Sequence, residues 1–235
     1  MTVVRALAKL TLSLRVTGVR PDGFHLIDAE MVTIDLADEL AFSDGDGLFV
    51  DVVGGAAPVP TDDSNLVRRA LRTVGATAQV RLTKRIPAGG GLGGGSADAA
   101  AVLRWAGVTD LEPAAALGAD VPFCLVGGRA RVTGIGELIE PLPFEARAFT
   151  LLTPPFGVST PAVYRAWDEM GGAAVTGPND LEAAALSVEP RLAAWRERLG
   201  EATGATPVLA GSGSTWFVEG EHDGPGLLVV RTDRP

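Results

Sequence analysis

The sequence predicts a mixed α+β protein, and three observations support this prediction. Apolar and polar residues alternate at positions 4–14, 31–42 and 48–53, as they do in half-buried strands. A glycine-rich loop at residues 87–100 follows a strand-like segment and leads into an amphipathic helical one. Beyond residue 147 the chain again contains both strand-like and helical segments.

The composition is that of a globular protein, with 46% hydrophobic and 21% charged residues among 235. The formal net charge of −9 argues against nonspecific binding to nucleic acid or to an anionic membrane surface. One cysteine, Cys124, and two histidines exclude a disulfide framework and a Cys/His zinc site. Lys9 interrupts the apolar N-terminal stretch, so we expect no signal peptide and a cytoplasmic protein, either a monomer or a weak homodimer.

The first strand, at residues 4–14, has one apolar face, and Lys9 and Thr11 project from the other. Two interpretations of Lys9 are open. A strand lysine usually meets solvent, which the strand alone favours, but Lys9 could instead point into a site.

A turn with the residues Pro21, Asp22 and Gly23 follows, and Phe24 and His25 come directly after it. An aromatic ring beside a hydrogen-bonding ring could bind a base or a sugar. A histidine with a purely structural hydrogen bond is an equally open interpretation.

Next, strands at 31–42 and 48–53 flank residues 44–47, which predict a hairpin turn. The polar residues Asp62, Asp63 and Ser64 are candidate caps for a helix whose apolar face begins at Leu66. A further strand is predicted from Ala78 into the glycine loop.

Six of the nine residues from Pro87 to Gly95 are glycine, and the predicted helix begins at Ser96. Glycine lets backbone N–H groups approach an anion closely, and a helix start adds free N–H groups and a positive dipole end. The loop formally matches a Rossmann fingerprint, but the preceding strand ends in two bases and a proline. It lacks the lysine of a Walker loop, and a flexible linker would not lead into an apolar helix face. A phosphate loop of a third type is the preferred interpretation.

After the loop helix, residues 112–117 predict a short helix and residues 129–135 a strand. Between them, Asp120 stands in an apolar run, where a carboxylate must be paired, hydrogen-bonded or catalytic. The alternative is that Asp120 caps a turn before Pro122. Cys124 is predicted to be a small core residue.

Pro141 and Pro143 interrupt the pattern and place a domain boundary at about residues 145–147. Beyond it we predict strands at 148–152, 216–219 and 227–231, and helices starting near Thr160, Asn179 and Leu192. A second glycine-serine loop occupies residues 211–215.

Five motifs occur in an order that resembles the GHMP kinases. They are Ala8-Lys9, the turn Gly23-Phe24-His25, the glycine loop, residues 117–123 and Gly211-Ser212-Gly213. The resemblance spans nearly the whole chain, and residues 20–25, 118–123 and 179–182 point to a member whose substrate carries a cytidine diphosphate group. It implies a GHMP kinase fold: an N-terminal domain (1–146) like the second domain of ribosomal protein S5, and a ferredoxin-like C-terminal domain (147–235).

The resemblance also implies roles for individual residues. ATP, with Mg²⁺, would bind the loop residues Pro87, Gly89, Gly90, Gly91, Leu92, Gly93, Gly94, Gly95 and Ser96, together with Asp98. Asp120 would take the proton from the substrate hydroxyl, and Lys9 would lie beside it. His25 and Phe24 would bind the cytosine, and Thr11, Ser212 and Gly213 would complete the substrate side. No protein-bound metal site is expected.

Three residues depart from the family pattern: Phe24 replaces a tyrosine, Thr11 an asparagine and Ala97 a serine. The chain is also short before Asp120 and after Phe217. Two alternatives therefore stay open. One is a GHMP kinase for another small alcohol, such as a sugar, a mevalonate-type acid or homoserine, and the other is a nucleotide-binding relative without kinase activity.

Overall fold

A computed structural model describes residues 1–53, 59–172 and 177–234 of the chain. The first part forms a six-stranded sheet with four helices. The strands are β1 Thr2–Val19, β2 His25–Ser43, β3 Gly47–Val52, β4 Gln79–Lys84, β5 Arg129–Gly134 and β6 Leu138–Leu142, and the helices are α1 Leu66–Thr73, α2 Gly94–Trp105, α3 Leu111–Leu117 and α4 Val121–Val126.

The strand β2 organises this sheet. β1 pairs with it antiparallel along nearly its whole length, while β4 and β5 pair with its other edge, one with each half. β3 pairs parallel with β4 and not with β2, in the order β3-β4-β2-β5-β6. The predicted hairpin turn at residues 44–47 is therefore wrong, because the strands on either side of this turn are separated by β4.

Both faces of β1 are covered in its middle part. The residues from Ala6 to Thr11 are all buried, and the register with β2 shifts between Leu7 and Lys9. Lys9 is thus only 5% exposed, so the solvent-facing interpretation of this lysine is wrong. A lysine at such a position needs a charged or hydrogen-bonding partner.

Helix α2 is the central core helix, and its residues 97–103 are all buried. Four of them are alanines, which allow the helix to approach the sheet and α1 closely. The helix starts at Gly94, two residues before the predicted Ser96. The cap of α1 is Asn65, whose side chain accepts from Val67 N at 2.8 Å, so the predicted caps Asp62, Asp63 and Ser64 are wrong.

Two elements of this first part are absent from the sequence prediction. Helix α4 begins directly after Asp120, with Pro122 in its first turn, where a missing N–H costs nothing. Strand β6 contains Pro141 and lies at the edge of the sheet, the position where proline is tolerated.

The second part forms a four-stranded sheet with three helices. The strands β7 Ala148–Leu152, β8 Val208–Leu209, β9 Trp216–Glu219 and β10 Leu228–Arg231 lie in the order β10-β7-β9-β8, and the helices α5 Thr160–Glu169, α6 Glu182–Val188 and α7 Leu192–Thr203 connect β7 to β8. All pairs are antiparallel. A βαββαβ unit has a second helix before its last strand, but here residues 220–227 make that connection without one.

The predicted α+β class is confirmed, and Cys124 is buried as expected. The sheet changes between Leu142 and Ala148, while the division into domains 1–146 and 147–235 stays a prediction. Within the described ranges, no helix has the length and apolar character needed to cross a bilayer.

Candidate active site

A cleft of about 870 Å³ opens between the two sheets, with the glycine loop along one wall. Its lining includes Lys9, Thr11, Phe24, His25, Ser96, Asp98, Asp120, Ser212 and all the residues from Pro87 to Gly95. The cleft therefore brings together almost all the residues that the sequence analysis named, from both halves of the chain.

The glycine loop is held by backbone contacts on both sides. Leu92 O accepts from Lys9 N at 3.0 Å, and Gly90 O accepts from Thr215 N at 3.1 Å. Gly91 has a φ of +77°, and a Cβ there would lie only 2.3 Å from Ala210 O. Only glycine allows the second loop to approach so closely, so the two glycine loops form one packed unit.

Lys9 and Asp120 meet at the base of the cleft. Their Nζ and Oδ2 atoms are 3.5 Å apart, and Nζ also donates to Thr11 Oγ1 at 3.0 Å. The lysine side chain passes over Gly93, where a Cβ would lie 2.8 Å from Lys9 Cγ. The lysine is 6% exposed and the aspartate 34% exposed, so the carboxylate is the member of the pair that a ligand can reach.

Asp120 immediately precedes α4, and its side chain makes no capping hydrogen bond to that helix. The positive end of the short helix favours a negative charge at this point. Burial raises the pKa of Tyr164 well above its ordinary value, and the negative charge of Asp120 raises this pKa further.

A second lysine–carboxylate cluster lies beneath the loop. Lys84 Nζ, at the end of β4, donates to Asp98 Oδ2 at 2.8 Å and to Asp38 Oδ2. Asp38 Oδ1 also accepts from the backbone N–H groups of Arg85 and Ile86. All three side chains are at most 4% exposed. Lys84, Asp38 and Asp98 are called the buried triad below.

The buried triad carries one more negative than positive charge when it is fully ionised. Burial, with the charge of Asp38, raises the pKa of Asp98 to about 7, although Lys84 opposes the rise. Burial alone would lower the pKa of Lys84, but the two carboxylates outweigh it and raise that pKa. Asp98 Oδ1 has no hydrogen-bond partner among the described residues. The predicted ATP-binding residue Asp98 is thus bound to Lys84 under the loop.

At the other end of the cleft, His25 enters an aromatic cluster contributed by α5. Its ring centroid lies 4.6 Å from that of Tyr164 and 5.7 Å from that of Trp167. His25 Nε2 lies 2.8 Å from Asp168 Oδ1. Phe24 is 56% exposed beside this cluster, so its ring is available to a planar ligand.

The second glycine loop supplies one of its two predicted substrate residues to the cleft. Ser212 lines the cleft, and its Oγ lies 2.8 Å from Thr160 Oγ1. Gly213 is buried with its carbonyl against Gly91, and its substrate contact stays a prediction. Asn179 holds this loop by donating to Leu209 O and Gly211 O at 2.8 and 2.7 Å.

Sequence reasoning missed five residues that shape the site: Asp38, Lys84, Tyr164, Arg165 and Asp168. Lys84 on β4 and Asp38 on β2 are both buried, and Lys84 bonds to Asp98 of α2. Arg165 lines the cleft and makes no ion pair with any described residue. The sequence signal for the last three is their position on one predicted helix, but nothing in the sequence directs that helix to His25.

The described ranges contain no group of three or more His, Cys, Asp or Glu side chains that could hold a metal ion.

Comparisons with known proteins agree with this geometry. Residues 65–128, which contain the glycine loop, match the family model for the GHMP kinases N terminal domain. The chain is 38% identical to the 4-diphosphocytidyl-2-C-methyl-D-erythritol kinase of Cereibacter sphaeroides (strain ATCC 17025 / ATH 2.4.3), over 92% of this chain and 88% of the relative. It is 39% identical to the enzyme of the same name from Paracoccus denitrificans, over 89% and 84% of the two chains.

A solved structure gives the same result. The crystal structure of a 4-(cytidine 5'-diphospho)-2C-methyl-D-erythritol kinase superposes with a TM-score of 0.75 at 33% identity, covering 94% of this chain and 91% of that one. The GHMP kinase architecture that the sequence predicted is thereby confirmed.

Proposed function

We propose a function from one premise: this chain belongs to the 4-diphosphocytidyl-2-C-methyl-D-erythritol kinase family, within the GHMP kinases. It is a small-molecule kinase that transfers the γ-phosphoryl group of ATP to the C2 hydroxyl of 4-diphosphocytidyl-2-C-methyl-D-erythritol. The product is an intermediate in the non-mevalonate synthesis of isoprenoid precursors.

The glycine loop is the ATP side of the site. The loop residues and the start of α2 line the cleft, where their N–H groups would bind the β- and γ-phosphates. Ala97 leaves Ser96 as the hydroxyl of the loop, so backbone groups carry most of the contact with phosphate. Mg²⁺ enters with ATP and supplies charge neutralisation on the phosphates.

Asp120 accepts the proton of the attacking hydroxyl in this proposal. The hydroxyl oxygen then forms the new bond to the γ-phosphorus while the bond to the ADP oxygen breaks. Phosphoryl transfer has a loose transition state, so positioning and electrostatics account for most of the catalysis. Lys9, 3.5 Å from Asp120, orients the carboxylate and holds positive charge beside the transferring group.

The acceptor lies across the cleft with its base among Phe24, His25 and Tyr164. Stacking on aromatic faces suits a cytosine ring. Arg165 projects into the same cleft and has no carboxylate partner among the described residues, which suits the diphosphate of the acceptor. A small alcohol without a base would leave this aromatic end unused, which disfavours a sugar, mevalonate or homoserine as substrate.

The single observation that carries the proposal is the Lys9–Asp120 pair beside the glycine loop. Its test is ADP release from Mg-ATP and the diphosphocytidyl sugar alcohol by the wild type and by Asp120→Asn. We expect turnover to fall about 10³-fold in the variant, because general-base catalysis contributes about 10²- to 10⁴-fold. ATP binding, measured by calorimetry, should be unchanged.

The matched control is Glu112→Gln, which removes an exposed carboxylate on α3 outside the cleft. It should retain full turnover. Near wild-type turnover in Asp120→Asn would remove the base assignment. ATP binding without ADP release on a panel of alcohols would favour a nucleotide-binding relative without kinase activity.

A further inference from the structure

His25 lies at the acceptor end of the cleft, and one of its two ring nitrogens already has a partner. Nε2 lies 2.8 Å from Asp168 Oδ1, a distance typical of a strong hydrogen bond. A carboxylate can only accept, so Nε2 must carry the proton of this bond. In the neutral ring, the other nitrogen, Nδ1, is then an acceptor.

The surroundings leave Nδ1 available. No described residue forms a hydrogen bond with it, and the side chain of His25 is 11% exposed at the wall of the cleft. Tyr164 and Trp167 pack against the ring, so it cannot rotate freely. The tautomer and the orientation of His25 are therefore both set by α5.

We propose that Asp168 is a positioning residue which holds His25 in the Nε2–H tautomer, so that its Nδ1 lone pair selects a base bearing an exocyclic amino group. This inference deepens the proposed function, on which its substrate part rests. Cytosine presents an N4 amino donor, whereas uracil presents an oxygen acceptor at the same position. An acceptor nitrogen on the protein attracts the first and repels the second.

Because His25 and Asp168 are in contact, the discrimination between cytosine and uracil would depend on both halves of the chain. His25 begins β2 in the first sheet, while Asp168 lies on α5, which follows β7 of the second sheet. A histidine alone interconverts between two tautomers with opposite donor patterns. The carboxylate from α5 removes this ambiguity.

The kinetic test compares the cytidine substrate with its uridine analogue in wild type, Asp168→Ala and Asp168→Asn. The wild type should favour the cytidine compound by at least ~100-fold in kcat/KM. Asp168→Ala should reduce this ratio by about 10-fold, mainly through a higher KM for the cytidine compound. Asp168→Asn should retain the ratio, because its amide oxygen also accepts from Nε2–H.

Glu169→Ala is the matched control, since it removes the neighbouring exposed carboxylate of the same helix without touching His25. An unchanged ratio in Asp168→Ala would overturn the proposal. So would an equal loss for both compounds, which is the signature of a merely structural role.

A spectroscopic test does not depend on the proposed function. The chain has only two histidines, so His222→Gln leaves His25 as the single one. Nitrogen-15 spectra recorded across a pH series should show the Nε2–H tautomer in the neutral form of the ring, and Asp168→Ala should shift the population toward Nδ1–H. An Nδ1–H ring in the protein with Asp168 intact would overturn the proposal. If the spectra are as expected but neither the cytidine compound nor its uridine analogue is phosphorylated, the result counts against the proposed function and not against the role of Asp168. Calorimetric binding of the two compounds would then still measure the preference for cytosine over uracil.

Discussion

The molecule contains two lysine–aspartate pairs within one cleft wall, and they differ in every physical respect. Lys9 and Asp120 are 3.5 Å apart, and the carboxylate is one-third exposed. Lys84 and Asp98 are 2.8 Å apart, both are almost fully buried, and Asp38 adds a second carboxylate. The first pair is loose and open to a ligand, whereas the second is tight and closed.

A lysine and an aspartate therefore serve different purposes when the pair is buried and when it is open to a ligand. A buried ion pair is costly to break, because the remaining charge loses both its partner and its water. An open pair costs little to break, but its carboxylate can reach a substrate proton. The buried triad is thus expected to support the glycine loop, and Lys9 with Asp120 to act on the substrates. Four variants test these separate roles.

The largest expected effect is on stability, from Asp38→Ala. This change removes the acceptor of two backbone N–H groups and a partner of Lys84. Two backbone N–H groups lose their acceptor while Lys84 keeps Asp98 as a partner, so the free energy of unfolding should fall by roughly 3 kcal/mol. Denaturant unfolding measures it. Asp35→Ala, an acidic residue nearby on β2 that is only partly buried, is the control. A loss below about 1 kcal/mol would contradict the structural role of the triad.

The next effect is on turnover, from Lys9→Met, which keeps the length of the side chain and removes its charge. We expect kcat to fall about 100-fold, because the variant loses positive charge beside the transferring phosphoryl group. The melting temperature should change little, since the apolar side chain still fills the space over Gly93. Steady-state kinetics and thermal unfolding on the same sample separate the two effects. Unfolding without a specific loss of kcat would make this pair structural too.

The third effect is a pH dependence of stability. The pKa of Asp98 is about 7 in the folded protein, above the ordinary value of 3.8 that applies when the chain is unfolded. Between pH 3.8 and pH 7 the folded state therefore binds more protons than the unfolded state. The contribution of Asp98 to stability falls over this range and is lost as the pH rises through 7. Relative to Asp98→Asn, the wild type should lose about 2 kcal/mol between pH 5 and pH 8. Urea unfolding of both proteins across this range measures the difference, and parallel pH profiles would contradict the shift.

The smallest effect concerns the acceptor, from Arg165→Gln. If Arg165 contacts the diphosphate, the KM for the cytidine substrate should rise about 10-fold while kcat and the KM for ATP stay near wild type. Arg81→Gln is the control, because that arginine is paired with Asp51 at 2.8 Å and does not line the cleft. An equal rise in the KM for ATP would move Arg165 to the nucleotide side.

Much of this architecture could be predicted from the sequence, since it depends on neighbours along the chain. Alternation at period two marks β1, and glycines followed by an alanine-rich helix mark the loop and α2. The hairpin prediction failed because the same turn residues can also join strands that do not pair. The prediction of the residue that caps α1 failed because four successive polar residues could each cap a helix. Only the folded structure shows that Asn65 does so.

The α+β class, the prediction of a phosphate loop at residues 87–95 and the position of Asp120 in an apolar run all follow from the sequence alone. Short-range periodicity and the conformational freedom of glycine are properties of the local chain. Only the tertiary structure decided which aspartate meets which lysine. Asp120 could have met either lysine, and the passage of Lys9 over Gly93 brings it to that carboxylate. Lys84 is buried between Asp98 of α2 and Asp38 of β2 and pairs with these carboxylates, because pairing across a fold depends on burial and not on distance along the chain.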